Sequence, residues 1–118
     1  MANGKNNEIV VPSSGNVFAD LGLRDAAEKQ TRARLAVAIN QIIQERRLSQ
    51  VTAAGLLEIN QPKISALANY KLEGFSVERL LNFLTALDRD VEIVIRKKPR
   101  SRKSGKIIVS QNQLSSAG

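Results

Sequence analysis

Leu48 to Tyr70 read LSQVTAAGLLEINQPKISALANY, and two short helical patterns meet within this stretch. The first, Gln50 to Leu57, sets Val51, Ala54 and Leu57 at intervals of three, so one face is apolar. The small residues Ala53, Ala54 and Gly55 let a second helix approach closely. Glu58, Ile59 and Asn60 follow, with Ile59 placed to plug a corner and Asn60 to N-cap a further helix whose first turn contains Pro62. Across Gln61 to Asn69, the residues Ile64, Leu67 and Ala68 form an inward stripe, which leaves Gln61, Lys63, Ser65, Ala66 and Asn69 facing out. The spacing predicts a helix-turn-helix. The plainer alternative is an αα-hairpin in a bundle, its outer polar residues merely solvated.

The outward set has the chemistry of a DNA major groove reader. Gln and Asn amides pair bidentately with adenine edges, Lys reaches guanine acceptors or phosphate, and a small Ala leaves room for thymine methyls. Base contacts are expected from the N-terminal turn of the second helix. Gln61, Lys63, Ser65 and Asn69 are the candidate readers. Gln50 opens the preceding helix, where its amide and the free backbone N–H groups can hold a phosphate. Lys71, in the loop beyond, lies where either a phosphate contact or ordinary loop solvation is expected.

Working outward, Val17, Phe18, Leu21 and Leu23 read as an apolar lead-in, and Asp25 with Glu28 as a capping-box-like helix start. Leu35, Ile39, Ile42 and Ile43 then recur at helical spacing up to Arg46 and Arg47, which complement a helix C-terminus. On the other side Gly74 closes a loop, Ser76 is a good N-cap, and Val77, Leu80, Leu81 and Leu84 form the clearest helical stripe in the chain. Asp90 to Arg96, DVEIVIR, changes period: Val91, Ile93 and Ile95 alternate with Glu92, Val94 and Arg96, a strand pattern. A lone strand leaves backbone groups unpaired, so it needs a partner. One candidate is its own copy across a twofold axis, making Val91, Ile93 and Ile95 dimerisation residues; the other is Ile9 to Val11 of the same chain.

With 118 residues, 42% hydrophobic and 3% aromatic, the chain fits one small domain with an aliphatic core, plus tails. The expected organisation is a flexible segment at 1–16, the domain at 17–96 with its strand at 90–96, and a basic flexible tail at 97–118. Cys and His are absent, which removes thiol chemistry, disulfides, imidazole acid–base chemistry and the usual zinc sites. No Gly-rich phosphate loop, nucleophile elbow or paired catalytic carboxylate motif appears, so an enzyme is the poorest reading and no cofactor or metal is expected. No apolar run approaches the ~18 residues of a membrane span, and the N-terminus lacks a signal-peptide layout, so a cytoplasmic location is expected. The net charge of +7 is unevenly spread: −1 over residues 1–30, +2 over 31–90 and +6 over 91–118. The cluster Arg96-Lys97-Lys98-Pro99-Arg100-Ser101-Arg102-Lys103 reads either as a phosphate-contacting arm or as a solubilising tail.

Leu48-Ser49-Gln50, Ala54, Ile59, Asn60 and Ile64-Ser65, in this register, resemble the Xre or lambda-repressor-like helix-turn-helix family. The longer span Ser14 to Lys98, with SGNVFADLGL, QPKIS and GFSVERLLNFLTALDRDVEIVIR, resembles the antitoxin branch of that family, whose members are often encoded beside a RelE-like toxin. The resemblance implies an all-α, five-helix lambda-repressor-like domain carrying a short C-terminal β-strand. It also implies a sequence-specific transcriptional regulator, a homodimer on an inverted-repeat operator in double-stranded DNA, acting as autorepressor and antitoxin with a RelE-like toxin as partner. One departure stands out: Glu58 occupies the corner where the family usually has glycine, and a left-handed backbone there costs a non-glycine residue roughly 1 kcal/mol. Two rival readings remain at this point. One is a protein-interaction module that neutralises a toxin without reading DNA; the other is nonspecific nucleic-acid binding dominated by the tail.

Overall fold

Four helices build the domain: α1 (Val17–Glu45), α2 (Gln50–Leu57), α3 (Gln61–Ala68) and α4 (Val77–Ala86). The structure, a computed structural model, describes residues 17–111, with side chains from residue 24 onward. Among the described residues the architecture is all-helical, as expected, with four helices rather than five. The expected lead-in is not separate from the first helix, because α1 runs unbroken for 29 residues. Asp25 and Glu28 do not cap it. Asp25 pairs with Lys29 at 3.4 Å and Glu28 with Arg32 at 3.1 Å, i,i+4 pairs that support an exposed helical stretch made largely of good helix formers.

Among the residues whose side chains are described, the core begins in the second half of α1. Residues 24–30 are exposed, Thr31 is buried with its hydroxyl donating to Ala27 O at 3.0 Å, and Leu35, Ala36, Ala38, Ile39 and Ile42 are buried beyond it. This half packs on α4 and α3, while α2 packs on α3 and α4. Ile39, Leu67, Leu80 and Leu87 are fully buried at the centre. Each such side chain contributes roughly 1.5–3 kcal/mol through removal from water. Phe75 and Phe83, 5.9 Å apart and edge to face, close one end of the core.

Capping follows the sequence closely. Ser49, Asn60 and Ser76 are extended N-caps whose side chains accept from Thr52 N, Lys63 N and Arg79 N. All four helices end the same way, with a non-glycine residue at positive φ: Arg47 (55°), Glu58 (57°), Tyr70 (61°) and Asp88 (67°). In each, two amides turn back onto orphan carbonyls, as Glu58 N does to Gly55 O and Ile59 N to Ala54 O. The ends of α1 and α4 are tied together: Arg46 donates to Leu87 O at 3.1 Å, and Arg89 pairs with Glu45 at 3.7 Å.

Two inward stripes differ from expectation. In α2 the buried residues are Ala53, Ala54 and Leu57, and Val51 is 69% exposed. Residues spaced by three drift about 60° per step around a helix of 3.6 residues per turn, so Val51 rotates off the face that Ala54 and Leu57 share. In α3 only Ile64 and Leu67 are buried; Ala68 is exposed, and Ala66, expected outside, is half-buried against the core.

The C-terminal strand expected at 90–96 does not form. Val91 packs against the core, and from there the chain runs extended to a turn in which Arg102 N donates to Pro99 O at 3.2 Å. It then returns so that Val109 also rests on the core. Among the described residues no backbone hydrogen bond reaches 90–98, and a strand without a ladder partner is only extended chain. The Ile9 to Val11 alternative, like all of 1–16 and 112–118, lies outside the described residues. Among the described residues no helix is long and apolar enough to cross a membrane.

Candidate nucleic-acid interface

The turn between α2 and α3 sets the geometry. Glu58 supplies the left-handed residue itself, and Ile59, half-buried, packs into the core at the corner. Asn60 then starts α3 with its Oδ1 accepting from Lys63 N at 2.9 Å, and Pro62 occupies the first turn, where its missing N–H costs nothing. Behind α3, Asn40 of α1 donates from Nδ2 to Leu67 O at 3.1 Å. Asn40 is a positioning residue outside the expected set. Its signal in the sequence is an amide among the apolar positions Leu35, Ile39, Ile42 and Ile43, a signal that Gln41 shares.

With Ile64 and Leu67 buried, the opposite face of α3 is turned outward. Gln61 and Asn69 are exposed and Ser65 is half-buried between them, at i, i+4 and i+8, so the three share one surface. The Gln61 side chain is turned to solvent, whereas Asn69 Nδ2 donates to Ser65 O at 2.9 Å, which pins its amide at the end of the helix. Lys63 goes elsewhere. Its ammonium donates to Gly74 O at 3.2 Å and sits 4.8 Å from the centre of the Phe75 ring, directed along the loop after α3. A Cβ on Gly74 would fall 2.5 Å from that ammonium, so the glycine leaves the space it occupies. A base contact from Lys63 requires release of both interactions.

Gln50 is exposed at the first position of α2, beside the Ser49 cap, whose hydroxyl donates to Thr52 Oγ1 at 3.0 Å. Thr52, exposed on the same helix start, is likewise outside the expected set; its position three residues after the Ser of an LSQ opening is the available sign. Lys71 is exposed just beyond the left-handed Tyr70, itself 48% exposed. Gln50, Gln61, Asn69 and Lys71 are thus exposed, and Ser65 half-buried, on α2, α3 and the loop that follows. Lys63 folds back onto that loop. Val91, Ile93 and Ile95 belong to the extended segment after α4; Val91 is half-buried, while Ile93 and Ile95 are exposed. Among the described residues no cluster of three or more acidic side chains is placed to hold a metal ion.

Residues 17–96 match the model of a family described as a helix-turn-helix domain. A solved structure described as a putative XRE-family transcriptional regulator is 65% identical, with a TM-score of 0.72, over 75% of this chain and 99% of its own. No curated protein matches the chain. The exposed, capped α3 held over a buried Ile64–Leu67 stripe, together with these two likenesses, establishes that the chain belongs to the XRE family of helix-turn-helix transcriptional regulators.

Proposed function

We propose that this protein is a homodimeric repressor that reads an inverted repeat in double-stranded DNA at its own promoter. The observation that carries this is the outward face of α3, where Gln61 and Ser65 are presented by a rigid helix capped at both ends. Gln61 and Ser65 read base edges, Asn69 reads at the far end of the helix, and Gln50 and Lys71 fix the register on phosphates. Lys63 joins the readers only by giving up Gly74 and Phe75. Regulation is by occupancy, with no chemistry on the DNA. The extended 90–96 segment, with Ile93 and Ile95 exposed, supports pairing with a second copy, which sets two reading helices about 34 Å apart on successive major grooves. The test is a nuclease footprint on promoter DNA with the Gln61→Ala, Ser65→Ala double variant. Loss of the footprint with an unchanged circular-dichroism spectrum is expected. A footprint equal to the parent's would shift the weight to an interaction module that does not read DNA.

An antitoxin role is favoured by one further observation: residues 24–30 of α1 are exposed along a helix that continues beyond the core. That surface is free to hold a RelE-like toxin while α3 is on DNA. Co-expression with a RelE-like ribonuclease encoded beside this chain tests it. Relief of growth arrest by the parent, and none when residues 1–30 are removed, is the expected pattern; relief by both would place the toxin elsewhere.

A further inference from the structure

The extended segment from Asp90 to Lys98 carries more information than its apolar alternation. Ile93, Val94 and Ile95 are 75%, 59% and 93% exposed, although Val91 beside them packs on the core. Among the described residues no backbone hydrogen bond reaches the segment. A consecutive exposed Ile-Val-Ile run with open backbone groups is a strand edge awaiting a partner. The charges on either side of it are of opposite sign: Asp90 and Glu92 precede the run, and Arg96, Lys97 and Lys98 follow it.

When two copies of one strand pair antiparallel about a twofold axis perpendicular to the sheet, each side chain keeps its face. One residue on the axis must then face itself. Three centres keep the apolar run in the interface: Ile93, Val94 or Ile95. Centred on Val94, Glu92 faces the partner's Arg96, Asp90 faces the partner's Lys98, Ile93 faces the partner's Ile95 and Val94 faces its own copy, with Val91 against the partner's Lys97 as the one mismatch. Centred on Ile93, Asp90 faces the partner's Arg96 and Val91 the partner's Ile95, but Glu92 falls against the partner's Val94 and Arg89 against the partner's Lys97. Centred on Ile95, Glu92 faces the partner's Lys98 and Asp90 the partner's Arg100, but Ile93 falls against the partner's Lys97 and Val94 against the partner's Arg96. Only the Val94 register sets the whole Ile93–Ile95 run against itself and both acids, Asp90 and Glu92, against bases.

We infer that the chain pairs with a second copy of itself through residues 90–98 in an antiparallel register centred on Val94. The ion pairs Glu92–Arg96 and Asp90–Lys98, each made twice, select that register; the outer pair requires Lys98 to exchange its 2.7 Å bond to Arg102 O for the carboxylate. The segment is thus both the dimer contact and its specificity code: a related chain with a different charge order on its strand is rejected by like charges placed opposite each other. This inference rests on the reading of the protein as a dimer and adds the register to it.

Glu92 and Arg96 are exposed on extended chain outside the core, so reversing either charge leaves the monomer fold intact. In E92R each introduced arginine meets the partner's Arg96, and in R96E each introduced glutamate meets the partner's Glu92. Converting two favourable cross-strand pairs into two repulsive ones weakens the dimer roughly 10- to 30-fold. An equimolar mixture of the two variants, and the E92R/R96E double variant, restore acid opposite base. Sedimentation equilibrium of the full chain reads all four. The expected result is weak dimers for each single variant, with affinity recovered in the mixture and in the double variant. Single variants that dimerise like the parent, or a mixture no tighter than its components, would overturn the register while leaving the dimer standing. A parent chain that stays monomeric across the micromolar range would overturn both. The absence of native Cys gives a second reading of the axis. Under mild oxidation V94C is expected to cross-link to its own copy faster than I93C or I95C. Faster linking by either flanking variant would move the centre and refute the assignment.

Discussion

Replacing Glu58 with glycine isolates the cost of the corner between α2 and α3. Glu58 holds φ 57° and ψ 45°, a left-handed conformation that places an ordinary residue's Cβ against the following carbonyl at a cost of roughly 1–2 kcal/mol. Its side chain is exposed, so glycine takes nothing from the core. The backbone bonds of the turn, Glu58 N to Gly55 O at 3.3 Å and Ile59 N to Ala54 O at 3.0 Å, are kept. Against the relief stands glycine's larger freedom in the unfolded chain, about 0.4–1 kcal/mol. The net expectation is a gain of about 0.5–1 kcal/mol. For a domain of this size that raises the thermal midpoint by roughly 2–8 °C. The assay is thermal unfolding followed by far-UV circular dichroism, checked by urea titration, with Glu58→Ala and Glu58→Gln as controls. Alanine keeps the Cβ and glutamine removes only the charge, so both are expected to melt with the parent. A glycine variant no more stable than the parent, or an alanine variant equally stabilised, would refute the assignment of strain to this backbone.

Asn40→Ala deletes the Nδ2 bond to Leu67 O and is expected to cost about 1 kcal/mol in urea unfolding and to loosen α3 on its bed; an unchanged midpoint would remove Asn40 from that role. Asn60→Ala should cost a similar ~1 kcal/mol through loss of the α3 cap, and weaken DNA binding more than it weakens the fold. Binding and stability falling strictly together would contradict this. Changing Arg100, Lys103 and Lys106 to Gln should lower affinity for every duplex alike and flatten the salt dependence, by roughly 0.9 in log–log slope for each phosphate no longer neutralised. Loss of sequence preference in that variant would show that the basic turn reads bases.

The caps and corner of the helix pair were legible because each is local: a Ser or Asn before a helical pattern, an Ile at the turn, and a Pro where no N–H is needed. α4 was legible from Val77, Leu80, Leu81 and Leu84, all of which meet the core, although Phe83, outside that stripe, is buried with them. What failed depended on distant partners. The face of α2 was off by the position of Val51, because burial there is decided by α3 and α4 rather than by spacing alone. α1 began earlier than its acidic residues suggested, since Asp25 and Glu28 serve i,i+4 pairs as readily as a cap. The destination of Lys63 could not be read from α3, as its carbonyl and aromatic partners, Gly74 and Phe75, come from the next loop. The 90–96 segment has the alternation of a strand, yet alternation supplies no ladder.

Sequence-specific binding is tested most directly by fluorescence-anisotropy titration of the purified chain. The two duplexes are DNA from immediately upstream of its own gene and a scrambled sequence of equal length, at about 150 mM salt to suppress binding by the basic C-terminal residues alone. A preference of ~10³-fold or more for the upstream DNA, reduced by Gln61→Ala and Ser65→Ala, is the result predicted for a reading α3. Equal, weak and strongly salt-dependent binding to both duplexes would contradict it.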